Sequence, residues 1–468
     1  MTKSKPIQQK TDVLEYGSNK KLAAYLYGMI CLVVALLPFH GFFTTWAGSL
    51  FGSLLLWRAW KELFVLVSLV VTVILLVRDH ALREWIFTKN RPLVILIAAF
   101  AILQFVAVLF GGQNTSATVL GLVIQLRLFV IFALAAIAAY YVHTSQLRFN
   151  KLILIPAGLV VAFGLLQMFV LPYDFLQHFG YVKNVSISPF FTIDEQLDQI
   201  RIASTLRGPN PLGVYLILPI TLLISQLTFF IKKTKKQELN SSRGQILASC
   251  FLLLASLMVL FGSHSRGAWL GLGAAMGVWL VLSLPKKATG VLIAGSLALL
   301  VVASVGVYQY SHTDFVQDVV LHDNPEEGGA VSSNQGHLDS LQAGVDNIAE
   351  SPIIGCGPGC AGPASFHSEG GARLSENYFI QTAEESGVVG LFLLTAILGY
   401  VAHLLYQKKN DPFARVLLAT FIGISVASLT AHAWADDTIA YIWWAIAGLY
   451  LYNKSVGTGQ SRTNTKTT

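Results

Sequence analysis

Apolar stretches of roughly 17 to 25 residues recur along this chain, each long enough as a helix to cross ~30 Å of hydrocarbon. About twelve such stretches follow one another, the last four near 288–308, 386–406, 416–432 and 439–453. The 468 residues are 54% hydrophobic and only 12% charged, with a mean hydropathy of +0.60. That is far from the balance of a soluble globular domain, so the expected fold is an all-α polytopic membrane protein.

The connecting segments divide the chain. A cytoplasmic N-terminal tail is expected over 1–21, and nine spans over 22–308 with an outer loop near 173–210. A large external loop follows over 309–385, between spans nine and ten, then three spans over 386–453 and a cytoplasmic tail over 454–468. Cytoplasmic loops of membrane proteins carry the excess of Lys and Arg. With the N-terminus inside, only Arg58, Lys61, Lys183, Arg201, Arg207, Arg266 and Arg373 fall outside and Arg127 falls within a span, leaving 24 of the 32 basic residues inside. Both termini are therefore expected in the cytoplasm. The same sorting accounts for the net charge of +7 without nucleic acid, because no basic domain interleaved with aromatics is present. The first apolar run is too long, and lacks the small-residue cleavage site, for a removed signal peptide, so it reads as the first span.

Both long outer segments exceed ordinary connections, which favours a functional role. The second is acidic, with Arg373 its lone basic residue, and "LDSLQAGVDNIAE" (338–350) has the apolar spacing of a short amphipathic helix. Cys31 and Cys250 lie in spans and read as packing residues. Cys356 and Cys360, in "GCGPGC", face the oxidising side and can pair if their Cα atoms come within ~7 Å. The polar tail "GTGQSRTNTKTT" is expected to be disordered.

Basic residues are scarce outside, so each needs a reason. "RIASTLRGPNPLGVYL" (201–216) places Arg201, Arg207 and Asn210 at the outer end of a span, and "SHSRGAW" (263–269) puts His264 and Arg266 at the same level. A single arginine there is easily explained by snorkelling to lipid headgroups. Together they suit a diphosphate, because each planar fork donates two parallel hydrogen bonds and carries a permanent charge. In "SPIIGCGPGC" the alternating Gly355, Gly357 and Gly359 can present backbone N–H groups to an anion, although three loop glycines are usually only a turn. "RLSENYFIQTAEESGVVGL" (373–391) brings Glu376 and Asn377 to the start of the tenth span. Glu376 can serve as a general base, whereas Glu384 and Glu385 read as first-turn acids favoured by the helix dipole. Arg127, ionisable within a span, is as much a candidate for structural pairing as for function. Asp436 and Asp437 cap the final outer hairpin and can bind a divalent metal, although two adjacent acids in a turn are usually just solvated. Among the histidines, His264 and His367 merit testing, while His40, His312, His322 and His337 share no ligand spacing.

These motifs, in this order, resemble the O-antigen ligase and polymerase family: Arg201 with Ser204, Thr205, Pro209 and Asn210; then Ser265, Arg266 and Gly267 opening a span; then "PIIGCGPG" and "ENYFIQTAEESGVVGL". The resemblance covers roughly residues 200–400 by motif and the whole chain by its pattern of spans. It implies a GT-C-like helical membrane fold in the bacterial inner membrane. It also implies an inverting, metal-independent glycosyltransferase that needs no cofactor, drawing on a glycan carried by undecaprenyl diphosphate. Family phosphate contacts carry over to Arg201 and Arg266, and the glycine-rich stretch to Gly355, Gly357 and Gly359. Arg207, Arg373, Asn377, His264 and Arg127 are further candidates to line the substrate site. Other partners implied are membrane lipids, a glycan, lipid or protein acceptor, and other polysaccharide-assembly proteins.

One departure stands out. Counting back from Gly387, the ligases have His-Asn where this chain has Glu376-Asn377, so a base role for Glu376 requires burial to raise its pKa. That difference favours a polymerase of repeat units over a ligase or an O-oligosaccharyltransferase acting on lipid A core, protein or wall polymer. A flippase of lipid-linked sugars would share the spans and the arginines, but should show internal repeats or broken spans at the midplane, and none is evident.

Overall fold

The computed structural model describes residues 5–193, 196–234, 239–285, 333–368 and 371–453, with isolated positions between 290 and 313. The chain opens with α1 (Lys5–Leu36), α2 (His40–Phe51), α3 (Leu54–Arg58), α4 (Trp60–Arg78) and α5 (His80–Glu84). Then come α6 (Arg91–Phe110), α7 (Thr115–Tyr141) and α8 (Gln146–Phe169), followed by the strands β1 (Phe191–Ile193) and β2 (Gln196–Arg201). The next helices are α9 (Pro209–Thr234), α10 (Leu239–Gly262), α11 (Arg266–Ser283) and α12 (Ser333–Glu350). The last are α13 (Tyr378–Gln407), α14 (Pro412–Ala427) and α15 (Asp437–Leu451). Among the described residues, nine helices are long and apolar enough to cross a membrane. The expected span over 288–308, the acidic stretch up to 332 and the C-terminal tail lie outside the described residues, save isolated positions.

Helix starts follow local chemistry. Asn114 caps α7 by accepting from the Ala117 N–H (2.9 Å), and Asp411 caps α14 by accepting from the Phe413 N–H (2.8 Å) with Pro412 at the first helical position. The amphipathic segment expected over 338–350 is helical and begins earlier, at Ser333. The expected all-α character holds apart from a short antiparallel hairpin, in which Phe191 opposes Arg201 and Thr192 opposes Ile200.

The final helix departs from its sequence appearance. Its run of apolar residues reads as a membrane span, and all 15 residues of α15 are buried within the protein. It is the centre of the bundle, with α7 packed along it so closely that a Cβ on Gly448 would fall 2.6 Å from the Phe132 carbonyl oxygen. Helices α11 and α14 meet in the same way: a Cβ on Gly271 or Gly423 would lie 2.6 or 2.5 Å from the other's carbonyl oxygen. Small residues allow this backbone approach where lipid offers no hydrophobic drive to associate.

Helix α13 is broken at Gly387, whose φ of 65° and ψ of −175° suit glycine alone. The break lets the loop 351–360 enter the bundle. The Val388 N–H donates to the Pro352 carbonyl (2.9 Å), and a Cβ at Gly387 would sit 2.1 Å from the Ile353 carbonyl oxygen. Gly387→Ala is therefore expected to lower stability by about 3 kcal/mol or more, read as a fall in Tm of the detergent-solubilised protein.

Candidate active site

One end of the bundle gathers the starts of α9, α11, α13 and α15 and the ends of α10 and α14. Strand β2 delivers Arg201 there, because the next residue, Ile202, donates its N–H to the Gly262 carbonyl at the end of α10 (3.0 Å). The following turn is fastened from below. Ser204 Oγ donates to the Val160 carbonyl (2.7 Å) and Thr205 Oγ1 to the Pro38 carbonyl (2.8 Å). Ser204, His264 and Glu376 all take positive φ (50°, 49° and 45°). Non-glycine residues held in that region mark places where the surroundings over-determine the backbone, as binding sites do.

Two adjoining cavities open at this end. The larger, about 470 Å³, is lined by Arg201, Arg266, His264, Asn210 and His337 with apolar neighbours, and no described carboxylate lines it. Among the described residues Arg201 is oriented by two neutral acceptors: its Nε donates to the Ser263 carbonyl (3.0 Å) and its Nη2 to Asn210 Oδ1 (2.7 Å). Burial and then the like charge of Arg266 pull the Arg201 guanidinium below its ordinary range. Burial and then Arg201 lower His264, which favours its neutral form. An anion entering here relieves the repulsion between the two guanidinium groups.

The smaller cavity, about 360 Å³, is lined by Glu376, His337, His432, Arg207, Arg127 and Asp436 among others. Asn210, Val214, His337, Thr430 and Ala431 line both cavities and so form the partition between them. Glu376 bonds His337 Nδ1, and that bond is the main reason its carboxyl lies below the usual range. The expected rise in its pKa is thus reversed. The carboxylate is half-exposed, so burial is outweighed by the hydrogen bond to the imidazole. Burial pushes His432 down to about 4 despite the opposing pull of Glu376.

The structure brings together Arg201, Arg266, Asn210, His264, Arg207, Glu376 and Arg127, and separates others. Arg127 lies on the floor of the smaller cavity, where its Nη2 donates to the Ala435 carbonyl. Asn377 is the N-cap of α13: its Oδ1 accepts from the Phe379 and Ile380 N–H groups (2.9 and 3.1 Å) and its Nδ2 donates to the Leu429 carbonyl (3.0 Å). Its amide is committed to the fold and lines neither cavity. Arg373 is exposed and reaches toward Asn347, also away from both. His367 accepts from Asn114 through its carbonyl and lines neither cavity.

The glycine-rich loop is corrected in the same sense. The Cys356 and Gly357 N–H groups donate to the Glu384 and Glu385 carbonyls (2.9 and 3.1 Å), the Gly359 N–H to Glu385 Oε1 (2.9 Å), and the Gly355 N–H to the Ser351 carbonyl (3.0 Å). These donors are used within the protein, and none of Gly355, Gly357 and Gly359 lines either cavity. The glycines serve close packing: a Cβ on Gly359 would meet the Ala117 carbonyl oxygen at 2.1 Å. Glu384 and Glu385 are likewise not first-turn acids. They precede the break in α13, where Glu385 holds Gln125 and Gly359, and Glu384 accepts from Asn347 Nδ2 (2.8 Å). Cys356 and Cys360 form a disulfide with Cα atoms 6.0 Å apart. Closing so short a loop is worth about 2 kcal/mol by chain entropy, so Cys360→Ser is expected to lower Tm by a few degrees without emptying either cavity.

His337 and His432 were not singled out by sequence. A lone histidine at the start of an amphipathic helix, 39 residues before its carboxylate partner, carries no spacing signal. The available hint was Glu376 itself, since a carboxylate replacing an imidazole leaves the imidazole's task to another side chain. Asp436 and Asp437, expected to be solvated, are not. Asp436 caps α15, accepting from the Thr438 N–H (2.9 Å), and bonds Arg207 (3.3 Å), while Asp437 is 3% exposed and bonds Arg207 and Lys61 (3.1 Å). Among the described residues no group of three or more His, Cys, Asp or Glu is arranged to hold a metal.

Residues 250–395 match the family model of O-antigen ligase, a stretch that includes His264, Arg266, His337 and Glu376. No curated protein matches the chain. Among solved structures, the chain is similar to one described as "Structural coordination of polymerization and crosslinking by a peptidoglycan synthase complex", with 18% identity and a TM-score of 0.40 over 77% of this chain and 96% of that one.

Proposed function

We propose, from the match of residues 250–395 to the family model of O-antigen ligase, that this chain is a membrane glycosyltransferase using a glycan on undecaprenyl diphosphate. The observation that carries the reading is the larger cavity, where Arg201 and Arg266 face a space that no described carboxylate lines. A diphosphate in that space meets two permanent charges with paired donors, which is what a departing diphosphate requires. The partition at Asn210 and His337 then sets the anomeric carbon at the junction of the cavities, and an acceptor sugar occupies the smaller one. The acceptor oxygen bonds to the anomeric carbon as the bond to the diphosphate breaks. The charge on the leaving group falls to Arg201 and Arg266, and the hydroxyl proton leaves toward the Glu376–His337 pair. Attack from the face opposite the leaving group inverts the anomeric centre.

The charge asymmetry of the loops supports a site on the outer face of the inner membrane. The replacement of the family's histidine by Glu376 supports polymerisation of repeat units over ligation. A purified-protein assay tests both points, with a lipid-diphosphate repeat unit as donor. Longer glycans on the lipid diphosphate are expected. Transfer only to an added lipid A core, protein or wall polymer would make the protein a ligase. Relocation of the lipid-linked unit without any new glycosidic bond would make it a flippase and sink the reading.

A further inference from the structure

We infer that His337, delivered by α12 of the long loop and held by Glu376, is the group that takes the acceptor proton, while Glu376 is a positioning residue rather than the base. This rests on the glycosyltransferase reading above. Three imidazoles line the two cavities, and they differ in their bonding. His337 directs Nδ1 at Glu376 Oε2, which fixes the tautomer with the proton on Nδ1 and leaves Nε2 as the lone-pair nitrogen. A carboxylate behind an imidazole orients the ring and stabilises the imidazolium once the proton arrives. His337 is also the only titratable side chain among the described residues that lines both cavities, where a donor carbon and an acceptor hydroxyl must meet.

The alternatives are weaker on the same observations. His432 faces Glu376 from the loop between α14 and α15, but its burial holds it at about 4, and its buried Nε2 has no hydrogen-bond partner among the described residues. His264 lies in the donor cavity beside Arg201, whose charge disfavours an imidazolium. Glu376 itself is spent on His337 and is a weaker base for it. The other charges around His337 are Arg207, Arg127 and Asp436 in the acceptor cavity and Arg201 and Arg266 in the donor cavity. Four of these five are positive, so Glu376 is needed to offset them when His337 gains a proton.

The step balances simply. The acceptor O–H bond breaks, its proton passes to His337 Nε2, the oxygen bonds to the anomeric carbon, and the electron pair of the breaking bond leaves on the diphosphate. The proton later returns to solvent through the exposed side of the ring.

The test is turnover of lipid-diphosphate repeat units by the full-length protein, with binding of the same donor measured alongside. His337→Ala is expected to lose 100-fold or more in kcat, on the order of general-base contributions, with donor affinity kept and part of the rate returned by added imidazole. Glu376→Gln is expected to lower kcat less than His337→Ala with donor affinity kept, and Glu376→Asp to return part of the rate, because the carboxylate acts by holding the ring. His337→Gln, which keeps a hydrogen-bonding side chain on α12, serves should the alanine variant fail to fold. Near-normal kcat in a folded His337 variant would overturn the inference, and so would a folded Glu376→Gln variant that loses more kcat than His337→Ala. In either case Arg201 and Arg266 variants that still lose transfer would leave the glycosyltransferase reading intact, whereas wild-type protein that forms no glycosidic bond would remove that reading instead.

Discussion

Arg201→Lys and Arg266→Lys are each expected to yield folded protein that has lost about 100-fold in glycosidic bond formation, ~3 kcal/mol of transition-state stabilisation. The charge is kept in both variants, so the loss isolates the fork. Arg201 spends Nε on the Ser263 carbonyl and Nη2 on Asn210 Oδ1, which fixes the guanidinium plane and points the rest of it at the cavity. A lysine ammonium can neither make that pair of contacts from one position nor offer two parallel donors to a diphosphate. The loss should fall on kcat more than on donor affinity, because charge on the bridging oxygen develops only as the glycosidic bond breaks. Arg373→Lys, on an exposed side chain that lines neither cavity, is the control and is expected to match the wild type. Radiolabelled or fluorescent donor and a gel readout of product length suffice. Full assembly by both Arg201→Lys and Arg266→Lys would show that neither arginine clamps a diphosphate.

What the sequence disclosed here followed from cost. Arg201 and Arg266 stood out because a permanent charge next to an apolar span must be bought by a use, and the structure sets both at one cavity. Helical spans were legible for the same kind of reason, since a backbone in lipid has to satisfy its own hydrogen bonds. What stayed hidden depends on partners distant in the chain. An all-round apolar helix looks the same whether lipid or protein surrounds it, so Trp443 and Trp444 gave no sign that α15 is the buried axis. Gly355, Gly357 and Gly359 looked like anion-binding donors because their partners, the carbonyls and carboxylate of Glu384 and Glu385, are tens of residues away. Asn377 looked like a substrate contact, and a cap is equally consistent with its place immediately before the helix. The long loop hid His337 most completely, since only the folded position of α12 against α13 brings it to Glu376.

Asp437→Ala is expected to be among the most damaging single changes to stability, at about 3 kcal/mol, because it removes the buried anion that Lys61 and Arg207 share, leaving Lys61 only the part-exposed Glu62 (3.0 Å) and Arg207 only Asp436 (3.3 Å). Asp437 lies 3.1 Å from Lys61 Nζ and 3.7 Å from His40 Nε2, and also bonds Arg207. Lys61 and Asp437 are 6% and 3% exposed, so water cannot take over either partner's role. Trp60 Nε1 donates to His40 Nδ1 (2.9 Å), which locks the ring, and Lys61 also donates to the Arg58 carbonyl (3.1 Å). The cluster thereby ties α2, α4 and the turn before α9 to the first residue of α15. Arg207 depends on it directly, since Asp437 and Asp436 hold its guanidinium charged at the wall of the smaller cavity. Loss of Asp437 should therefore lower Tm and loosen that cavity together. Lys61→Met alone should cost less, because Arg207 still compensates the aspartate. The pair Asp437→Leu with Lys61→Met should recover part of the loss, since removing both charges avoids the desolvation that a lone one suffers. A double-mutant cycle in detergent unfolding measures the coupling. Additive losses from the two changes would show that Lys61 and Asp437 do not depend on one another.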